Sequence, residues 1–209
     1  MNQAIERINE EKIVAIVRLD SIEHVDRLAQ SLYEGGIRVI EITLNTPGAL
    51  EGMKKIKQRY DDFLVGAGTV LDGENARSAI EAGADFLLAP TLSKETIQVG
   101  NRYGVPVIPG VMTPTEALTA YEWGARLVKV FPARSVGESF AKDLKGPLPF
   151  LSVMAVGGVS LDNVSDYFQA GWHSVGIGSS LVSNDADFDE IKAKAMNFIT
   201  KRDEIAIKQ

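Results

Sequence analysis

Three charged side chains stand where the sequence is otherwise apolar: Arg18 closing IVAIVR, Glu41 inside VIEIT and Lys129 inside LVKVF. A charge within a strand buried on both faces costs several kcal/mol unless it is paired or used. Along the Lys129 run, the two-residue strand period puts Leu127, Lys129 and Phe131 on one face. Apolar neighbours desolvate an ammonium and lower its pKa, so Lys129 can offer a free amine. Such an amine condenses with a ketone to form a Schiff base. Glu41, on a different strand, supplies a carboxyl that can take and return a proton. The competing reading is structural: Lys129 neutralises Glu41, or snorkels from the end of the sheet. Arg18, at a strand's carboxyl end, reads equally as a ligand contact or a surface cation.

Two glycine-rich turns add a second chemistry, Val156-Gly157-Gly158-Val159-Ser160 and Gly176-Ile177-Gly178-Ser179-Ser180. Backbone N–H groups in turns of this kind, opening onto helix N-termini, hold phosphate. Left-handed turn geometry alone also explains paired glycines. Thr69, in GAGTV, offers a hydroxyl either to the mouth of the fold or to a helix entry, and Pro90 and Pro109 are read first as turn formers. His24, in a helix's first turn, and His173, at a strand start on the opposite end from the site, attract no functional assignment.

Eight short apolar runs must position these residues: Ile13–Arg18, Ile37–Thr43, Phe63–Thr69, Asp85–Pro90, Val105–Gly110, Arg126–Phe131, Leu151–Gly158 and His173–Ser179. They are Val/Ile-rich and mostly continuous rather than alternating, the mark of parallel strands covered on both faces. Helix starts are expected at Asp20-Ser21-Ile22-Glu23, Thr46-Pro47, Asp72 and Thr113-Pro114-Thr115-Glu116, with Pro47 and Pro114 in the first helical position. Gly36, Gly83, Gly104, Gly124, Gly146 and Gly171 mark left-handed helix stops, which gives a strand–helix unit roughly every 20 to 25 residues. The last helix is expected over Asp185–Lys201, with a polar tail after it. Eight units predict a compact (β/α)8 barrel, read as one domain over residues 1–209. The rival, an open doubly wound sheet, lacks its glycine fingerprint after the first strand.

The 209 residues are 45% hydrophobic and 24% charged with a net charge of −6, an ordinary globular profile that argues against a nucleic-acid surface. With no cysteine and two histidines, a thiolate metal site, a cysteine nucleophile and a multi-histidine centre have nothing to draw on. MNQAIERINEEK lacks the apolar core of a secretory signal, and no apolar run is long enough for a bilayer, so a cytoplasmic protein with no membrane partner is expected.

The chain resembles the family of 2-keto-3-deoxy-6-phosphogluconate (KDPG) and 4-hydroxy-2-oxoglutarate (KHG) aldolases, collinearly from about Ile13 to Leu181. The marks are IEITLNTPGA with Glu41, GAGTVL with Thr69, AP with Pro90, IPGVMTPTE, VKVFPA with Lys129, AVGGVSLDN and GIGSSL. The resemblance implies a class I aldolase without metal or cofactor, cleaving a phosphorylated 2-keto-3-deoxy sugar acid to pyruvate and glyceraldehyde 3-phosphate. By it, Lys129 forms the imine, Glu41 is the general acid and base, Thr69 holds the pyruvyl carboxylate and Phe131 packs beside the imine. Phosphate would sit near Gly158, Gly178 and Ser179, next to Gly157, and the assembly would be a homotrimer. Two departures stand out. Asn45 occupies the position of an arginine that binds the carboxylate in many members, which makes Arg18 the natural substitute. Val156 stands where gluconate-type enzymes often carry Thr, and with the LNTP turn this resembles enzymes for the C4 epimer, 2-keto-3-deoxy-6-phosphogalactonate. A lyase or isomerase working without an imine, and a silent phosphosugar-binding barrel, are the readings from other classes.

Overall fold

A computed structural model describes residues 3–206 except positions 184 and 186. The eight apolar runs supply its strands: β1 (Ile13–Val17), β2 (Val39–Thr43), β3 (Leu64–Gly68), β4 (Phe86–Leu88), β5 (Val107–Ile108), β6 (Gly110–Val111), β7 (Leu127–Val130), β8 (Ser152–Val156) and β9 (Ser174–Ile177). One run thus yields two strands. Pro109 has no N–H to give a ladder, so it splits the fifth run into β5 and β6. Every pairing is parallel, in the order β5-β4-β3-β2-β1-β9-β8-β7-β6. The two ends of that row are separated only by Pro109, so the sheet returns on itself as a barrel.

Helices α1 (Gln3–Glu11), α2 (Val25–Glu34), α3 (Ala49–Arg59), α4 (Gly73–Glu81), α5 (Lys94–Tyr103), α6 (Pro114–Glu122), α7 (Phe140–Lys145), α8 (Val164–Gln169) and α9 (Phe188–Ala206) accompany the strands. Two of the expected starts hold. Asp72 accepts the Asn75 N–H at 2.7 Å to cap α4, and Thr113 with Glu116 closes a capping box over Pro114 at the start of α6. Two do not. α3 begins at Ala49 behind Gly48, which leaves Pro47 outside the helix, because the Thr46 hydroxyl is taken up by the Leu19 N–H at 3.1 Å and by Thr43. α2 begins at Val25, with His24 at its N-cap; the Ser21 hydroxyl accepts the Glu23 N–H in a turn of its own. Of the expected left-handed stops, Gly146 is instead right-handed at φ −51°. α9 starts three residues later than expected and runs on to Ala206, while residues 207–209 of the expected tail lie outside the described residues.

Sequence patterning left α1 without an assignment. Its signal is the helical spacing of Ala4, Ile5 and Ile8, all buried. These side chains join Val14, Ile16, Val39, Phe86, Leu88, Ile108, Leu127, Met154 and Val156 in an inner core inside the barrel, apart from the larger one. A second, larger core lies between strands and surrounding helices. Strand alternation then fixes the next layer of the lumen: Val39 and Leu127 point inward, so Glu41 and Lys129 do too, one layer nearer the carboxyl-terminal mouth.

Candidate active site

β2 and β7 bring Glu41 and Lys129 into the upper lumen, where they are 1% and 6% exposed. Room for the carboxylate comes from Gly68. A Cβ on that residue would overlap the Glu41 carboxyl group, so a bare glycine at the end of β3 is what lets the acid lie there. Glu41 Oε2 is fully buried with no hydrogen-bond partner among the described residues. Burial therefore pushes the Glu41 pKa up to about 7, against the pull of Lys129 and Arg18. The Lys129 pKa is driven down, first by burial and also by Arg18, while Glu41 resists. An amine that gives up its proton more readily than a free lysine and a carboxyl able to hold or release one near neutral pH thus face the same space. The Lys129 ammonium lies 4.9 Å from the centroid of Phe131, whose ring is 40% exposed and stands at the mouth.

The rim is assembled from the residues that end each strand. Arg18, one residue beyond β1 at the carboxyl-terminal end of the barrel, is exposed, and its charge bears on both Glu41 and Lys129. Thr69, just past β3, has φ +56°, a conformation that a β-branched side chain adopts at a cost of roughly 1–3 kcal/mol. It is fixed there by the Leu44 N–H bond to the Gly68 carbonyl (2.8 Å) and the Val70 N–H bond to the Leu88 carbonyl (3.2 Å). Sequence alone gave no sign of this backbone strain. Pro90 is half-buried at the end of β4, with its carbonyl packed against Gly110 of β6. Asn45 is exposed and lines a surface groove of about 380 Å³ between the starts of α3 and α4, in which neither Lys129 nor Glu41 takes part.

On the far side, β8 pairs with β9, so the Gly157-Gly158 and Gly178-Ser179 turns are neighbours. Val156 is buried in the lumen beneath them, against Gly176. Gly157 and Gly158 have φ +90° and +97°. Asn163, which ends the AVGGVSLDN motif but has no role assigned there, pins the turn: its Oδ1 accepts the Ser160 N–H at 2.8 Å and its Nδ2 donates to the Gly158 carbonyl at 2.9 Å. An Asn three residues after Ser160 is the spacing that could have shown it. Ser180 Oγ donates to the Val159 carbonyl at 2.7 Å and ties the two turns together. Gly178 faces open space, and Ser179 is exposed beside it.

Among the described residues no three His, Asp or Glu side chains gather as a metal-ligand set. His173, at the other end of the barrel, accepts the Val153 N–H at 3.1 Å through Nδ1; burial, with Lys145 and Lys12 nearby, drives its pKa down to about 4. No described helix is long and apolar enough to cross a membrane.

A parallel barrel with an amine and a carboxyl buried at the carboxyl ends of its strands carries them where barrel enzymes keep their active sites. Comparison with known proteins narrows this. The family described as "Aldolase: KDPG and KHG aldolase" matches residues 4–195, and the chain belongs to it. A 2-dehydro-3-deoxy-phosphogluconate aldolase of Haemophilus influenzae is 37% identical over 166 residues, 79% of this chain and 78% of that one. A 2-dehydro-3-deoxy-6-phosphogalactonate aldolase of Escherichia coli is 34% identical over 90% of this chain and 92% of its own. The crystal structure of a KDPG aldolase from Legionella pneumophila, with pyruvate captured as a covalent carbinolamine, superposes with a TM-score of 0.84 at 29% identity, covering 90% of this chain and 95% of that one.

Proposed function

We propose that this chain is a class I aldolase that cleaves KDPG to pyruvate and glyceraldehyde 3-phosphate, with 4-hydroxy-2-oxoglutarate, cleaved to pyruvate and glyoxylate, as a second substrate. One observation carries the reading: Lys129 and Glu41 share a water-poor lumen that lowers the pKa of one and raises that of the other. The Lys129 amine adds to the C2 ketone, and Glu41 gives its proton to the departing hydroxyl, which leaves as water to give a protonated imine and a Glu41 carboxylate. The Glu41 carboxylate takes the proton of the C4 hydroxyl, the C3–C4 bond breaks, and its electron pair flows into the imine to leave an enamine and a free aldehyde. Glu41 then returns its proton to C3, and hydrolysis frees pyruvate and Lys129.

Thr69 and Arg18 hold the pyruvyl carboxylate in this reading, with Arg18 serving where Asn45 replaces an arginine. Phe131 and Pro90 wall the imine. The Gly157-Gly158 and Gly178-Ser179 turns offer backbone donors to the phosphate. Borohydride reduction in the presence of pyruvate should add the mass of a reduced pyruvyl group to Lys129; folded protein that acquires no adduct refutes imine chemistry.

Val156 supports a second reading, the C4 epimer 2-keto-3-deoxy-6-phosphogalactonate as substrate, since no side-chain hydroxyl stands at that position. A single hydroxyl contact is worth about 1 kcal/mol, so gluconate, the commoner family substrate, stays first. Pyruvate release from the two epimers at equal concentration decides between them. The family resemblance further supports a cytoplasmic homotrimer, for which light scattering should return a particle of three chains.

A further inference from the structure

Arg134 lies in the short 3-10 turn Ala133–Ser135 that leads away from β7. Its N–H donates to the Gly157 carbonyl at 3.0 Å, which staples the turn after β7 to the turn after β8. The side chain then runs across Gly158. A Cβ built on Gly158 would meet Arg134 Cβ at 2.6 Å and its Cγ and Cδ at 3.3 Å, so the guanidinium begins one bond beyond atoms already against that glycine. Arg7, Arg38, Arg77 and Arg202 each hold a carboxylate. Arg134 is exposed and has no carboxylate partner among the described residues.

A sugar phosphate at neutral pH carries a charge approaching −2, which neutral backbone donors hydrogen-bond but do not balance. A guanidinium presents two parallel donors and a fixed positive charge, the arrangement that best matches phosphate oxygens. We propose that Arg134 is a specificity-determining residue: its guanidinium grips the substrate's phosphate above the Gly157-Gly158 turn and sets this chain's preference for phosphorylated over unphosphorylated keto acids. The proposal rests on the placement of the phosphate at the β8 and β9 turns.

The test compares kcat and KM of the wild type, Arg134→Ala and Arg134→Lys on KDPG, on its dephosphorylated counterpart and on 4-hydroxy-2-oxoglutarate, with inorganic phosphate as a competing probe. Loss of a charge-assisted contact should raise KM for KDPG about tenfold in Arg134→Ala and weaken inhibition by inorganic phosphate equally. kcat and both parameters for the two phosphate-free substrates should not move, and Arg134→Lys should recover part of the loss. A wild type that prefers KDPG to its dephosphorylated counterpart, with Arg134→Ala keeping that preference intact, overturns the role of Arg134 alone. A wild type without any such preference overturns the phosphate placement itself. Equal losses on all three substrates would mean a structural role for the staple and would also overturn the proposal. The side chain is exposed and the N–H bond to Gly157 does not depend on it, so the alanine variant should fold, as circular dichroism will register.

Discussion

Glu41→Gln should make the protein more stable above neutral pH while cutting its activity. In the native state burial raises the Glu41 pKa from 4.5 to about 7, so the folded protein holds this proton more tightly than the unfolded chain does. The sign comes from linkage: the contribution is fully present below 4.5 and is lost as pH rises through about 7. Ionising the buried acid therefore removes about 3 kcal/mol, at about 1.4 kcal/mol per pK unit. Glutamine keeps the shape, carries no charge and needs no deprotonation. Lys129 can respond by shedding its own proton, since its pKa is already lowered. Between about pH 5 and about pH 8 roughly 2.5 kcal/mol of the Glu41 contribution is lost, so thermal unfolding of the two proteins should give a difference in Tm that shifts in favour of the variant by ~5–10 °C at the higher pH, for a chain of this length. Every other carboxylate cancels in this comparison. The pyruvate-releasing activity should fall by about 10²- to 10⁴-fold, the range for loss of a general acid–base. If the difference in Tm were independent of pH, or grew in favour of the wild type, the account of a desolvated and reluctantly ionised Glu41 would be wrong.

Gly68→Ala places a methyl group on the Glu41 carboxylate and should cut activity by about 10²-fold through misplacement of the acid, with a far-ultraviolet spectrum like the wild type. Thr69→Gly relieves the left-handed strain at φ +56°; unfolding in denaturant should show stability unchanged or raised by up to about 1 kcal/mol, while KM for the keto acid rises as the hydroxyl is lost. Ile8→Ala empties part of the plug inside the barrel and should cost about 2–5 kcal/mol in the same assay, with KM little changed because the site lies at the other end.

How far the sequence could be read depended on whether a residue's role was local. Continuous Val/Ile runs declared parallel strands, and a Lys or Glu within such a run is costly enough to mark a site before any coordinate is seen. Asp72 and Thr113 could be read as caps because a cap depends on side chains within three residues. Thr46 could not, since the claim on its hydroxyl comes from Leu19, 27 residues earlier. The split at Pro109 depends on where the barrel must bend to close. The plug formed by α1 is hidden for a similar reason: Ala4, Ile5 and Ile8 have a helical pattern, but only the closed lumen gives them something to cover. The approach of Gly68 to Glu41 and of Arg134 to Gly158 joins strands and turns distant in sequence, and no spacing rule encodes such encounters.

The α1 plug also bears on how products leave. Among the described residues Ile5, Ile8 and their neighbours close the floor of the lumen, and the way to Lys129 opens at the rim where Phe131 stands. On the proposed mechanism the pyruvyl fragment would be tethered at the inner end and the aldehyde would lie toward the rim, so the aldehyde should depart first. Product inhibition should carry that signature, with pyruvate competing directly against substrate for the empty enzyme and the aldehyde acting on the loaded form as well.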